Sequence, residues 1–283
     1  MQPTFSIVVP TFRRPERLAG CLAAIGRLDY PRDGLEAIVV DDGGGESLDA
    51  ALEAAGDVRV TLERQPNAGP ACARNLGARR ARGRYVAFTD DDCEPAPGWL
   101  RALEESLSTG AVAAVGTSTS GAPGNPFATA DELVTEFLFR YYNRQDDVRF
   151  GMSNNLAVER SAFLAVGGFD EGFPRPGGED RELVHRLRAR GWRLAVSPEA
   201  TVRHFPSRNL REFCGRHYRY GRGAALYRRR AADVDREDLS FYAQIVRYPR
   251  TMGCARLGPL VALSQVATAV GFAHESLAST RHP

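Results

Sequence analysis

The chain has 283 residues, 43% hydrophobic and 25% charged, with a formal net charge of +2 and a mean hydropathy of −0.32. At roughly 150 residues per domain, this suits one large α/β unit with an appendage or two small units, and the composition excludes a disordered chain and a polytopic membrane protein. The even charge balance argues against nucleic acid as a partner, and the absence of lysine among 37 basic residues removes lysine Schiff-base and general-base chemistry.

Phe5–Val9, Glu36–Val40, Val58–Leu62 and Tyr85–Phe88 read as strands rich in β-branched or aromatic residues. Helical patterns at Pro15–Arg27, Ser47–Ala55 and Gly69–Arg82 separate them, with Ser47 suited to an N-cap. Such alternation predicts an α/β fold with a mostly parallel sheet covered on both faces, where ligands bind at the carboxyl ends of strands. A helix at Trp99–Leu107, a short strand at Ala111–Val115, a loop at Thr119–Pro126 and a helix from about Thr129 to Tyr142 follow. Glu179–Arg190 reads as a helix with acids first and arginines last, which suits the macrodipole. Short strands at Leu194–Val196 and Val202–His204 close residues 1–205, and the boundary is expected near Pro206.

Residues 206–283 read as a helical segment of different character. Nine arginines between Arg203 and Arg230 interleave with Phe213, Tyr218, Tyr220 and Tyr227. These fit a solvated face, a surface for anionic lipid, or a grip on acceptor phosphates. Leu257–Ala273 is mainly apolar but interrupted by Pro259, Ser264, Gln265 and Thr268, which suggests a helix packed on the enzyme or lying in a membrane interface, not a spanning one. Five cysteines without CxxC spacing indicate neither a disulfide framework nor a zinc ribbon. With no recognisable signal peptide before Phe5, a cytoplasmic location is expected.

The polar clusters fall at strand ends. Asp90, Asp91 and Asp92 are adjacent carboxylates whose repulsion a hard divalent ion, Mg²⁺ or Mn²⁺, would relieve; a solvated acidic loop explains the same letters. Asp41 and Asp42 before Gly43–Gly45 suit a nucleotide's base or ribose, or a tight turn. Glu179 and Asp180 open a helix, as a general base with its neighbour or as dipole complements. His204 suits a metal site with Asp92, or a structural role. Asn67, Arg74 and Asn75 flank a helix start where they suit a nucleotide or a cap, and His217 is expected at the surface. Cys93 lacks the partners of a nucleophile.

Together these residues resemble glycosyltransferase family 2, the inverting GT-A enzymes, across roughly residues 5–205. The carriers are Ser6–Arg14, Val39–Gly43, Phe88–Asp92 with its DxD pattern, and Gly167–Glu171 followed by Gly178-Glu179-Asp180. The resemblance implies a GT-A fold with a C-terminal helical segment and metal-dependent, inverting transfer from a nucleotide-diphosphate sugar to a hydroxyl of a glycan or lipid-linked acceptor. It places Pro10, Thr11, Asp41, Asp42 and Asp90 at the donor, Asp92 at the metal, and Asp180 as base beside Glu179; the reading of the residues themselves adds Asn75 and Asp91 to the donor side and His204 to the metal. Cys93 stands where the family often has another acid, and no QxxRW motif occurs, so non-processive transfer is implied, with peripheral membrane contact through 206–283. Two rival readings are an inactive sugar-nucleotide binder or scaffold and a sugar nucleotidyltransferase; Thr11–Arg14 lacks the glycine-rich loop of the latter.

Overall fold

The computed structural model describes residues 2–144, 147–206, 209–231, 234 and 237–279. The elements are β1 (Phe5–Thr11), α1 (Pro15–Gly26), β2 (Leu35–Asp41), α2 (Asp49–Glu53), β3 (Val60–Arg64), α3 (Pro70–Arg80), β4 (Tyr85–Phe88), β5 (Cys93–Pro95), α4 (Trp99–Ser108) and β6 (Ala113–Ser120). They continue with α5 (Pro126–Tyr142), β7 (Asn143–Arg144), β8 (Asp147–Val148), β9 (Leu156–Glu159), α6 (Arg160–Ala165), α7 (Glu179–Ala189), β10 (Leu194–His204), α8 (Leu210–Arg230), α9 (Leu239–Thr251) and α10 (Gly258–Ser279).

Eight strands form one mixed sheet in the order β3-β2-β1-β4-β9-β6-β10-β5. Its first four strands run parallel, as the alternating pattern predicts. Every residue of β1 and β2 is buried, as strands covered on both faces require. One core lies on each face: Leu18, Leu22, Ile25, Trp99 and Leu103 on one, and Phe88, Phe163, Phe169, Leu183 and Leu187 on the other. Together with the mostly parallel sheet, this is the predicted two-faced α/β architecture.

Several boundaries move for reasons visible in the pairing. The short strand expected at Ala111–Val115 is β6, which runs on to Ser120 into the expected loop because it pairs with β10 along that whole length. The two strands expected at Leu194–Val196 and Val202–His204 are one strand, β10, whose register shifts between Val196 and Thr201. Asn155 pins that irregularity. Its Nδ2 donates to the carbonyls of Thr117 and Ala200, both at 2.7 Å, and its Oδ1 accepts from Trp99 Nε1 at 2.8 Å. The antiparallel strands β9 and β5, unassigned in the sequence, complete the sheet. α5 starts earlier than expected, at Pro126, because Asn125 accepts from the Phe127 and Ala128 amides and proline suits the first turn. Ser47 is not the N-cap, since α2 starts at Asp49 after Leu48; its Oγ accepts from the Asp49 amide at 3.4 Å and donates to the Asp49 carboxylate at 2.9 Å.

The C-terminal helices pack on α5 through Ala130, Val134, Phe137, Phe213, Phe241, Ile245 and Val261. Each large apolar side chain buried there contributes about 1.5–3 kcal/mol. α8 and α10 approach so closely that a Cβ on Gly221 would lie 1.9 Å from the Thr268 carbonyl oxygen. The stretch Ala255–Ala278 is long and apolar enough to cross a membrane by length and composition. Its outer stripe leaves Val266, Val270 and Leu277 exposed.

Candidate active site

Backbone register decides which side chains meet. Parallel pairing sets Thr11 beside Asp41 at the carboxyl ends of β1 and β2, and antiparallel pairing of β10 with β5 sets His204 across from Cys93. The Phe205 amide donates to the Asp92 carbonyl at 2.9 Å. His204 Nε2 consequently lies 3.7 Å from Asp92 Oδ1, though 112 residues separate the two along the chain.

The acidic triplet fans out to separate partners. Asp90 Oδ1 accepts from Arg74 Nη2 at 2.6 Å. Asp91, fully buried, accepts from Thr11 Oγ1 at 2.8 Å and pairs with Arg14 Nη2 at 2.8 Å. Asp92 Oδ2 accepts from Arg14 Nη1 at 3.1 Å. Two guanidinium groups therefore relieve the mutual repulsion, a task the sequence reading gave to a cation alone. Burial nevertheless pushes the Asp91 carboxyl up to about 7, against the pull of Arg14.

Asp92, Cys93 and His204 offer ligand atoms that all lie within 4.8 Å of one another. Burial alone would raise Asp92, but His204 and Arg14 hold it below the usual carboxylate range, so it is ionised. Burial pushes His204 down, against the pull of Asp92, which favours the neutral imidazole a metal requires. Burial pushes the Cys93 thiol well up, so it is not a thiolate and makes a poor ligand. An ionised carboxylate beside a neutral imidazole offers two ligand atoms to a divalent cation.

Glu179 and Asp180 start α7. Glu179, 2% exposed, accepts from Arg74 Nη1 at 3.1 Å and from the Gly177 amide at 2.7 Å. Arg74 thus ties Asp90 at the sheet edge to Glu179, and its guanidinium lies 5.6 Å from the centre of the Phe169 ring. Asp180 Oδ1 accepts from the Arg181 amide at 2.8 Å. Burial, then the neighbouring Glu179 charge, pushes Asp180 up to about 7, a value suited to exchanging protons near neutrality. The preceding loop is seated on α8: a Cβ on Gly223 would lie 1.8 Å from the Gly177 carbonyl oxygen.

Asp90, Glu179, Asp180 and His204 line one cleft of about 520 Å³ between the sheet edge and the C-terminal helices. Pro10, Thr11, Asp41 and Asp42 are not among its lining. Asp41 accepts from the Gly44 amide at 2.7 Å. Asp42, expected at the nucleotide base, has both carboxylate oxygens engaged within the protein. Its Oδ1 accepts from Gln65 Nε2 and the Ala68 amide, both at 2.8 Å, and its Oδ2 from Asn67 Nδ2 at 3.2 Å and the Gly69 amide at 2.9 Å. Four donors occupy both oxygens and brace the loop that starts α3. Asn75, expected at the donor, bonds the Phe169 amide and carbonyl, each at 2.8 Å, and Glu171 at 3.0 Å; it ties that turn to α3. His217, expected at the surface, is 2% exposed and its Nε2 lies 2.8 Å from Asp131 Oδ1. Arg14, Asp131, Arg216 and His217 were missed as site residues. Only Arg14 had a signal, its place in the loop after β1.

The chain matches the family model described as Glycosyl transferase family 2 over residues 6–167, and that described as Glycosyltransferase like family 2 over residues 122–228. A pre-mycofactocin glycosyltransferase of Mycobacterium tuberculosis is 35% identical over 211 residues, covering 72% of this chain and 44% of that protein. A validoxylamine A glucosyltransferase of Streptomyces hygroscopicus subsp. jinggangensis is 30% identical over 229 residues, covering 70% of this chain and 54% of that protein. The chain therefore spans about half the length of these relatives. Among solved structures, the mannosyltransferase PcManGT of Pyrobaculum calidifontis in complex with GDP-Man and Mn²⁺ shares the fold with a TM-score of 0.65 at 22% identity, covering 99% of this chain and 78% of that one. S. aureus TarS 1-349 in complex with UDP does so with a TM-score of 0.58 at 15% identity, covering 99% and 92%. The GT-A-type fold and the family-model match agree: the chain belongs to glycosyltransferase family 2.

Proposed function

We propose that the chain is an inverting, metal-dependent, non-processive glycosyltransferase that moves a sugar from a nucleotide-diphosphate sugar to a hydroxyl of a glycan or lipid-linked acceptor. One observation carries this reading: a single cleft is lined both by His204, the neighbour of Asp92, and by Asp180, a half-buried carboxyl raised to about 7. Asp92 and His204 would hold Mn²⁺ or Mg²⁺, whose charge supports the leaving nucleoside diphosphate when bound. Asp180 takes the proton from the acceptor hydroxyl as that oxygen attacks the anomeric carbon, and a single displacement inverts the centre. Glu179, fixed by Arg74 and the Gly177 amide, holds the start of α7 so that Asp180 keeps its place.

Pro10, Thr11, Asp41, Asp90 and Asp91 form the donor side, with Asp42 bracing its loop. The relatives named as glycosyltransferases and the fold neighbour bound to GDP-Man and Mn²⁺ support the donor class and the metal. Residues 1–205 carry the donor side and the base, and helices of residues 206–283 complete the walls of the acceptor side. The exposed Val266, Val270 and Leu277 of α10, with exposed Arg247, Arg250 and Arg256 near its start, suit peripheral contact with the cytoplasmic face of an anionic membrane. The test incubates the protein with a panel of nucleotide sugars and Mn²⁺ and reads nucleoside diphosphate release. Metal-dependent release from one donor supports the reading; no release from any donor, with or without candidate acceptors, contradicts it.

A further inference from the structure

The cleft that holds Asp180 is lined by both polar and apolar side chains. Near the carboxylates its walls are polar and incompletely bonded. Asp131 and Asn154, 6% and 7% exposed, line it with Ser118, and among the described residues Asp131 Oδ2, Asn154 Oδ1 and Ser118 Oγ have no hydrogen-bond partner. Buried polar atoms without partners cost stability unless a ligand supplies them, and these three accept from hydroxyl groups. The walls on the side of the C-terminal helices are mixed: Val134 and Leu138 from α5, Phe241 and Ile245 from α9, and Ala269 and Phe272 from α10 supply apolar surface, beside Arg216 and Tyr220 from α8 and Gln265 and Thr268 from α10. Ala269 is solvent-exposed, so the apolar end opens at α10, the helix whose outer stripe carries Val266 and Val270.

Resting on the transferase reading above, we infer that the acceptor is an amphiphile: a hydroxyl-bearing head seated among Asp180, Asp131 and Asn154, and an apolar chain lying between α5, α9 and α10. A free glycan would leave the apolar walls against water or hydroxyls, and a simple long-chain alcohol would leave the buried polar atoms unpaired. Only a molecule with both parts satisfies both ends.

The probes are alkyl β-D-glucopyranosides from methyl to decyl, each below its micellar concentration, titrated calorimetrically into the full chain with Mn²⁺. Affinity is expected to rise up to about fourfold per methylene buried at one site, then level off once the apolar end is filled. Ala269→Trp, at the exposed mouth, should remove the length dependence, whereas Val270→Ser on the outer stripe should keep it. Binding from phosphatidylglycerol vesicles carrying decyl glucoside as well as from solution assigns the bilayer as source, and binding from solution alone assigns a soluble acceptor. Affinity independent of chain length, or length dependence lost in Val270→Ser and retained in Ala269→Trp, overturns the inference. Nucleoside diphosphate binding and a far-UV circular dichroism melt on the same samples show that each variant is folded. They also test the transferase reading separately.

Discussion

The two sides of the proposed site, the strand ends beside the cleft and the cleft itself, are assembled by different means. The donor half is fixed by β-ladder register: Thr11 beside Asp41 and His204 across from Cys93 follow from strand pairing, and the carboxylates are locked by Arg14 and Arg74. The acceptor half is fixed by helix packing: α8 reaches the loop before Asp180 only because Gly223 has no side chain, and His217 meets Asp131 across 86 residues of chain. Ladder register tolerates most substitutions that keep the buried pattern, whereas a close helix contact fails with one added methyl group. The halves should therefore separate under mutation.

Replacing Asp180 with Asn should produce the largest effect. Loss of a general base lowers turnover by about 10³-fold while metal-dependent nucleotide binding stays intact, since Asp180 bonds none of the donor-side residues. Single-turnover kinetics beside a nucleotide titration check both parts. Gly223→Ala should come next. Its Cβ displaces the Gly177 carbonyl, and a shift near 1 Å at a catalytic group costs about 10²-fold. Equal loss of nucleotide binding would mean that the halves are not independent.

Asn155→Ala breaks the other side of the comparison. It removes the amide that bonds Trp99, Thr117 and Ala200 and should cost at least about 3 kcal/mol of unfolding free energy, at about 1–3 kcal/mol for each buried group left unpaired. Urea unfolding measures this. The smallest effect concerns pH. Asp180 must be deprotonated to act, so kcat/KM should rise with pH through about 7. Glu179→Gln removes a negative neighbour that raises Asp180, so the acid limb should move to lower pH; an unmoved or higher limb would show that another group limits the rate.

The same contrast explains what was legible in the sequence. β1, β2 and β4 were readable because short apolar runs ended in polar clusters, and those clusters converge at one sheet edge as a parallel topology requires. His204 could be paired with Asp92 because it ends a strand. The long β6 and the single β10 were not readable, because Asn155 and cross-strand pairing hold them together through Gly116 and Pro198, residues that read locally as breaks. Asp42 carried the letters of a ligand contact, and only the 65–69 loop folding back onto it shows its bracing task. His217 reads as a surface residue among arginines until α5 supplies Asp131. The apolar half of the cleft depends on α5, α9 and α10 meeting, which no local pattern encodes.

In the proposed mechanism Asp92 and His204 hold the metal that supports the donor, and Asp180 acts afterwards. Thermal unfolding with a panel of nucleoside diphosphates, with and without Mn²⁺, tests it directly in the unmodified chain, Asp92→Ala and Asp180→Asn. A ligand at a hundredfold excess over Kd adds about 2.7 kcal/mol of apparent stability. The account predicts stabilisation by one nucleotide with Mn²⁺ alone, absent in Asp92→Ala and retained in Asp180→Asn. Stabilisation without metal, or equal stabilisation of Asp92→Ala, would contradict it.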